Sequence, residues 1–433
     1  MRSLSSTLTQ AQKDQGQVLC KAVVGSYTYN VESTNQLLRV THPEAPWSQT
    51  AKILIDDRDL TLSGLSLEGL TATLSYGFAT SAGDEYSATA PLVVKAQEIV
   101  TAGGVQQCLL DCYGKPDQMG DDHASTDLSL TSSDTQTVKT LISAIMGATL
   151  AAYSHCSAIT VTYDSEDSLI DTFKPADYFR ISTGDTRKAK VRELLSWTKC
   201  VGIFKADGQL HIFSPVVSGT TYDYAYDDTF LSTNHTFFSR VYRNRLVLPN
   251  EIVVKSSPDH SPQYTGDATS AASYALLPKT DYKIMRLTST AQAEAIAAAI
   301  IQRLEVDHAR GNGYAPMNVG QEVYDYINVT SEAAANSRAG NIGYLTRVWD
   351  ADKADPFTIG FGFGDILLGG AIGIGQGVGG DGGAQTPQYA TYNDLMEIYS
   401  TLMENQNAII EFIKNWDTVP KWHVTDQLII PVF

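Results

Sequence analysis

The sequence predicts a β-rich α+β protein: two small β-barrel-like domains, α+β domains, a Gly-rich linker and a C-terminal coiled-coil-like helix. Three observations carry that reading. Residues 18–113 alternate apolar and polar residues between glycines, the period of strands that bury one face. Several later segments place apolar residues at helical spacing beside strand-like runs. Gly360–Gly383 holds twelve glycines in twenty-four residues, a density no regular element tolerates.

The elements follow in order. Residues 1–113 form the first β-barrel-like domain, with "KILIDDRDLTLSGLSLEGLTATLSYGF" alternating around Gly64, Gly69 and Gly77. Residues 114–215 form an α+β domain that opens with a polar linking loop, 114–130. Ser133 and Gln136 match a capping box, ahead of the helical stripe Val138, Leu141, Ile142, Ile145 and Met146. "SAITVTYD" reads as a strand. A helix starting near Asp185 turns Val191, Leu194 and Leu195 inward. It feeds a hairpin at Ala206-Asp207-Gly208-Gln209, where Gly supplies the positive φ that a tight turn demands. Residues 216–358 are β-rich, with "RNRLVLPNEIVVKSS" supplying two strands. A long Ala-rich helix is capped by Ser289 and Gln292 and buries Ala293, Ile296, Ala297, Ile300, Ile301 and Leu304. Strands at "QEVYDYINVT" and "AGNIGYLTRVWD" complete that region. Residues 359–390 are the Gly-rich linker, and 391–433 a helix and tail.

Composition narrows the function. The 433 residues suffice for two to four domains. With 43% hydrophobic and 18% charged residues, the chain is globular. A net charge of −17 argues against a protein that grips nucleic-acid phosphates, which takes Lys and Arg. Five scattered cysteines fit free thiols in a reducing compartment of synthesis; Cys108 and Cys112 lack a second pair to complete a zinc site. No apolar signal segment or membrane-length apolar run is visible, so the expectation is a soluble chain.

No catalytic constellation stands out, and no catalytic, cofactor-binding or metal-ligating residue is assigned. Gly377, Gly379 and Gly382 match G-x-G-x-x-G, but no strand precedes them. Asp56, Asp57 and Asp59, and Asp223, Asp227 and Asp228, suit either oxygen ligation of Ca²⁺ or solvated loops, without the spacing of a calcium loop. Tyr222, Tyr224, Tyr226, Tyr324 and Tyr326 fit an interface or ordinary strands equally well.

Two patterns near the C-terminus stand out. Phe361, Phe363, Ile366, Leu367 and Leu368 mix bulky apolar residues into the glycine stretch, so a membrane-active segment competes with the flexible-linker reading. Leu395, Tyr399, Leu402, Gln406, Ile409, Ile413 and Trp416 step by four and three, the period of a coiled-coil seam. Met396, Met403 and Ile410 widen the stripe toward three helices, and Gln406 is the polar residue that would fix register.

The order of these patterns resembles the tail hub, or baseplate hub, proteins of tailed bacteriophages and related contractile injection systems. The resemblance spans residues 10–355 and rests on "DTQTVKTLISAIMGAT", "KVRELLSWTKCVGIFKADGQLHIFSP", "RNRLVLPNEIVVKSS", "TSTAQAEAIAAAIIQRL" and "NVGQEVYDYINVT…AGNIGYLTRVWD" in succession. It implies a homotrimeric ring of pseudo-sixfold symmetry joining a sixfold tail tube to a threefold tip, with a channel for DNA ejection. It also implies a structural virion protein made in the host cytoplasm. Its partners would be further copies of itself, the distal tail or tube ring, tail fibre or tip proteins and the tape measure protein, with no tight DNA binding. A receptor- or carbohydrate-binding tip protein and a wall-degrading enzyme are the alternatives.

Overall fold

The computed structural model describes residues 1–364, except 15, 32–35, 103, 230–233, 245 and 354, and all described residues lie in one compact unit. The expected β-rich α+β class is what is found. The two β regions, however, do not stand apart as separate barrels. They share one fourteen-stranded sheet, and no sheet closes on itself among the described residues. The join is an antiparallel ladder between Asn336–Asp350 and Leu37–Ala45, in register from Leu345 opposite Glu44 to Asp350 opposite Arg39. Asn336–Asp350 also pairs with Tyr326–Ser331 and with Phe357–Phe363.

The Phe357–Phe363 strand corrects the linker expectation over its first residues. Phe361 and Phe363 are buried in the first core, so neither is free to be membrane-active or part of a flexible spacer. Here glycine makes room for rings. A Cβ on Gly362 would sit 2.1 Å from the Tyr344 ring, and one on Gly313, across the ladder, 2.4 Å from the Phe361 ring. Glycine alternating with phenylalanine is thus a strand whose neighbours stack aromatic rings over bare backbone. Ile366, Leu367 and Leu368, and the seam Leu395, Tyr399, Leu402, Gln406, Ile409 and Ile413, lie outside the described residues.

A second core lies under the helices. Val138–Met146 and Arg187–Ser196 bury the predicted stripes. Their neighbour is a three-stranded sheet in which Leu210–Phe213 lies between Val161–Tyr163, parallel, and Val201–Phe204, antiparallel. The Asp207-Gly208 turn is present, with Gly208 at φ +73°. The capping box at Ser133 is not. Thr137 caps the helix by accepting the Thr140 N–H, while Thr131 and Asp134 close a separate turn. Nor is 114–130 only a loop: Lys115–Asp121 is a helix with Pro116 in its first turn, anchored by buried Pro116 and Met119.

The same core takes in the sheet of Thr265–Thr269, Glu251–Ser256 and Thr280–Met285, covered by Thr290–His308. That helix starts as expected: Ser289 Oγ accepts the Gln292 N–H, and Gln292 Oε1 accepts the Thr288 N–H. "RNRLVLPNEIVVKSS" supplies the end of Ser239–Asn244 and the whole of Glu251–Ser256, which are not partners, since Ser239–Asn244 pairs with Ala309–Pro316 instead. The two cores touch through Trp47. It stands at the tight turn between Leu37–Ala45 and Ser48–Asp56 with φ 64°, and its ring packs into the helical core against Gly202.

Candidate assembly surfaces and a charged cleft

Among the described residues no group of three or more His, Cys, Asp or Glu side chains is placed to hold a metal ion. The two aspartate clusters accept hydrogen bonds that tie their loops to neighbouring segments. Asp57 accepts from the Leu62 N–H at 2.8 Å and the Gln106 amide at 2.6 Å. Asp223 accepts the Tyr326 N–H at 2.7 Å, and Asp228 the Glu332 N–H at 2.8 Å. Cys20, Cys108, Cys112 and Cys200 are buried free thiols. Burial pushes the Cys112 thiol up to about 12, far from a reactive thiolate.

The tyrosines divide clearly. Tyr224, Tyr226, Tyr324 and Tyr326 are buried. The Tyr224 hydroxyl lies 2.7 Å from His235 Nδ1, while His235 Nε2 lies 3.0 Å from the Pro316 carbonyl. With that carbonyl fixing Nε2 as the donor, Nδ1 accepts from tyrosine. These rings are core, not paratope.

Exposed apolar area gathers elsewhere. Leu248, Leu276, Leu277, Tyr282 and Ile284 stand exposed around one end and the outer face of the small 251–285 sheet, with Leu276 75% accessible. Among the described residues Thr280–Met285 pairs on one side only, with Glu251–Ser256, which leaves its other backbone edge without a partner strand there. A second apolar group, Phe238, Val241 and Tyr314, flanks the end strand Ser239–Asn244 of the large sheet. Periodicity could have pointed to Tyr282 and Ile284, which alternate with buried Lys283 and Met285.

A cleft opens beside Trp47, and its floor is charged. Arg347 is fully buried, directly opposite His42 in the joining ladder. Its Nη1 lies 2.9 Å from Glu44 Oε1 as an ion pair, off the line of a hydrogen bond. His42 Nε2 lies 3.2 Å and Gln49 Nε2 3.1 Å from the same oxygen. Arg2 donates to the Ala88 carbonyl at 2.5 Å and lies 3.9 Å from Glu322. The Met1 ammonium contacts Asp325.

Burial sets the acid–base character of this floor. It lowers His42 to about 4, helped by the Arg347 and Arg2 charges. Burial alone would raise Glu44, but Arg347, His42 and Arg2 together outweigh it and hold the carboxyl at about 2. Asp325 is pushed up to about 7 by burial, against the pull of the Met1 ammonium. Arg2 is lowered to about 10 by burial and by Arg347.

With this architecture in view, the comparisons can be stated. No family model and no curated protein matches the chain. Solved structures do. The tail protein from Neisseria meningitidis MC58 superposes with a TM-score of 0.56 at 9% identity, covering 80% of this chain and 96% of that one. The 43 kDa tail protein of prophage MuSo2 from Shewanella oneidensis gives 0.53 at 11% identity, covering 80% and 98%. The chain therefore has the fold of phage tail proteins, the class that the order of its sequence patterns resembles.

Proposed function

We propose that the chain is a structural tail or baseplate hub component, a homotrimeric ring joining a sixfold tail tube to a threefold tip around a channel for DNA. The observation that carries this reading is the shared fold, which spans 80% of the chain and nearly the whole length of two tail proteins. The open edge at Thr280–Met285 and its exposed apolar neighbours supply surface for ring contacts or neighbouring tail proteins. The partners are further copies, the tube or distal tail ring, fibre or tip proteins and the tape measure protein. The place of action is the virion tail, after synthesis in the host cytoplasm.

Two further elements belong to the proposal. The heptad pattern Leu395, Tyr399, Leu402, Gln406, Ile409 and Ile413 clasps three copies that the ring already holds together. The net charge of −17 per chain lets DNA pass without sticking. The receptor-binding alternative loses Tyr224 and Tyr226, which are core, and keeps only the half-buried Tyr222 of that trio.

The test is the native mass of the full chain at micromolar concentration, where a trimer is expected and a strict monomer overturns the ring. Cysteines placed at Leu402 should crosslink between chains; strictly intrachain contacts would refute the seam. Tight DNA binding at physiological salt would contradict the channel, and turnover of cell-wall polymer would contradict a purely structural role.

A further inference from the structure

The outer strand of the small 251–285 sheet is complementary to itself. Among the described residues Thr280–Met285 has one partner, Glu251–Ser256, in parallel register. The Lys279 carbonyl accepts the Glu251 N–H at 3.1 Å, and the Met285 carbonyl accepts the Ser257 N–H at 3.0 Å. Odd-numbered residues therefore turn their backbone groups toward Glu251–Ser256, and Thr280, Tyr282 and Ile284 turn theirs toward the unpaired edge. There the Tyr282 N–H donates to Oδ1 of its own neighbour Asp281 at 2.8 Å. A carboxylate oxygen stands where the carbonyl of another strand would stand. Two side chains decide which strand fits. Asp281 and Lys283 share the inner face as an ion pair of 2.7 Å, with Lys283 buried. On the outer face Tyr282 and Ile284 are exposed, and Lys255 Nζ lies 4.8 Å from the Tyr282 ring centre. Inward-pointing charge repels an ordinary apolar-faced strand. A second copy of the same strand answers it.

We propose that Thr280–Met285 pairs antiparallel with the same strand of a second copy of this chain, about a two-fold axis through Tyr282. That register sets Tyr282 opposite Tyr282 and Thr280 opposite Ile284 on the outer face. On the inner face it sets Asp281 of each copy opposite Lys283 of the other. Shifting the axis by one residue keeps the faces matched but brings Asp281 onto Asp281 or Lys283 onto Lys283, so like charges exclude both neighbouring registers. The residues that face the unpaired edge become the hydrogen-bonded pairs, about six bonds in all, and the Asp281–Lys283 pairs are the closer, non-bonded ones. Exposed Leu276 and Leu277, just before the strand, extend the apolar contact toward Ile284 of the other copy. Such a contact is isologous. It joins chains in pairs and adds to a ring of three without forming it, so it stands apart from the tail reading.

The experiment is sedimentation equilibrium of the full chain at increasing concentration. Two six-residue strands and a few leucines make a small interface, so pairing is expected near about 100 μM, above the micromolar range in which the ring is tested. The mass should then double, from trimer to hexamer or from monomer to dimer. Asp281→Lys or Lys283→Asp alone opposes like charges twice in each contact and should weaken pairing about tenfold or more. The variant carrying both changes should restore it. Tyr282→Pro removes an N–H that faces the unpaired edge and should abolish pairing, with a melting temperature near that of the parent. That variant keeps the test decisive if Lys283→Asp fails to fold. No doubling up to about 1 mM, or doubling indifferent to these variants, would overturn the contact. A trimer that never doubles leaves the ring standing and removes this contact; a monomer that doubles does the reverse.

Discussion

The two cores bury charge in opposite ways. In the sheet core, the guanidinium of Arg347 faces a carboxylate, Glu44, with His42 beside it. In the helical core, guanidinia face mainly carbonyls. Arg303 donates to Thr198 at 2.9 Å and to Leu195 at 2.7 Å, closing the C-terminal end of Arg187–Ser196. Arg187 donates to the Ser157 carbonyl at 2.8 and 2.9 Å, with the half-buried Asp122 carboxylate 3.3 Å away. Carbonyls do not titrate and carboxylates do. The difference teaches where pH, and the loss of one partner, should be felt.

The largest expected effects break the sheet core. Arg347→Met strands Glu44 as a buried, uncompensated charge and should cost about 3–5 kcal/mol, read as a lowered urea midpoint. Adding Glu44→Gln should recover most of that loss; equal stability of the single and double variants would show that Glu44 is not stranded. Phe361→Ala, in the corrected strand, should cost a similar 3–5 kcal/mol or so through the cavity it leaves.

Acid sharpens the contrast next. His42 and His235 are both held at about 4 by burial, against an ordinary 6.5. Between those values the unfolded chain binds more protons than the folded one, so stability falls as pH drops from 6.5 toward 4. Each histidine contributes at most roughly 3 kcal/mol to that fall. Asp325 works the other way. Its folded value near 7 exceeds the unfolded 3.8, so it adds stability as pH falls across that interval. His42→Gln should flatten the acid loss and Asp325→Asn should steepen it. Hydrogen exchange followed at pH 7 and pH 5 should show protection lost first in strands such as Leu37–Ala45, and the pattern fails if Arg187–Ser196 opens equally.

Smaller effects belong to the helical core. Arg303→Met removes carbonyl bonds without stranding a charge, and about 2 kcal/mol is expected, with little dependence on pH. Thr137→Ala should cost about 1 kcal/mol through the lost cap, whereas Ser133→Ala should leave the thermal midpoint unchanged.

Legibility followed locality. The stripes Val138–Met146 and Ala293–Ile301, the Ser289–Gln292 cap and the Asp207-Gly208 turn are decided within a few residues, and their periodicity shows in the sequence. The Lys115–Asp121 helix was missed because only two of its residues are buried, too few to make a stripe. The join between Asn336–Asp350 and Leu37–Ala45 brings together residues some three hundred apart, and alternation says nothing about which strand finds which. The charged floor depends on that join, so His42, Glu44 and Arg347 gave no signal as a group. Phe357–Phe363 was misread because its glycines answer to rings on other strands.

The fifteen-residue strand Asn336–Asp350 is extended over roughly 50 Å at about 3.4 Å per residue, and it is laced to three different strands along its length. A pull applied along it meets those ladders side by side, loaded in shear, so their hydrogen bonds must yield together rather than peel one at a time. The first β region hangs on the second by that strand. Under a load applied along the chain, it would be the tie rod through which tension crosses from one β region to the other.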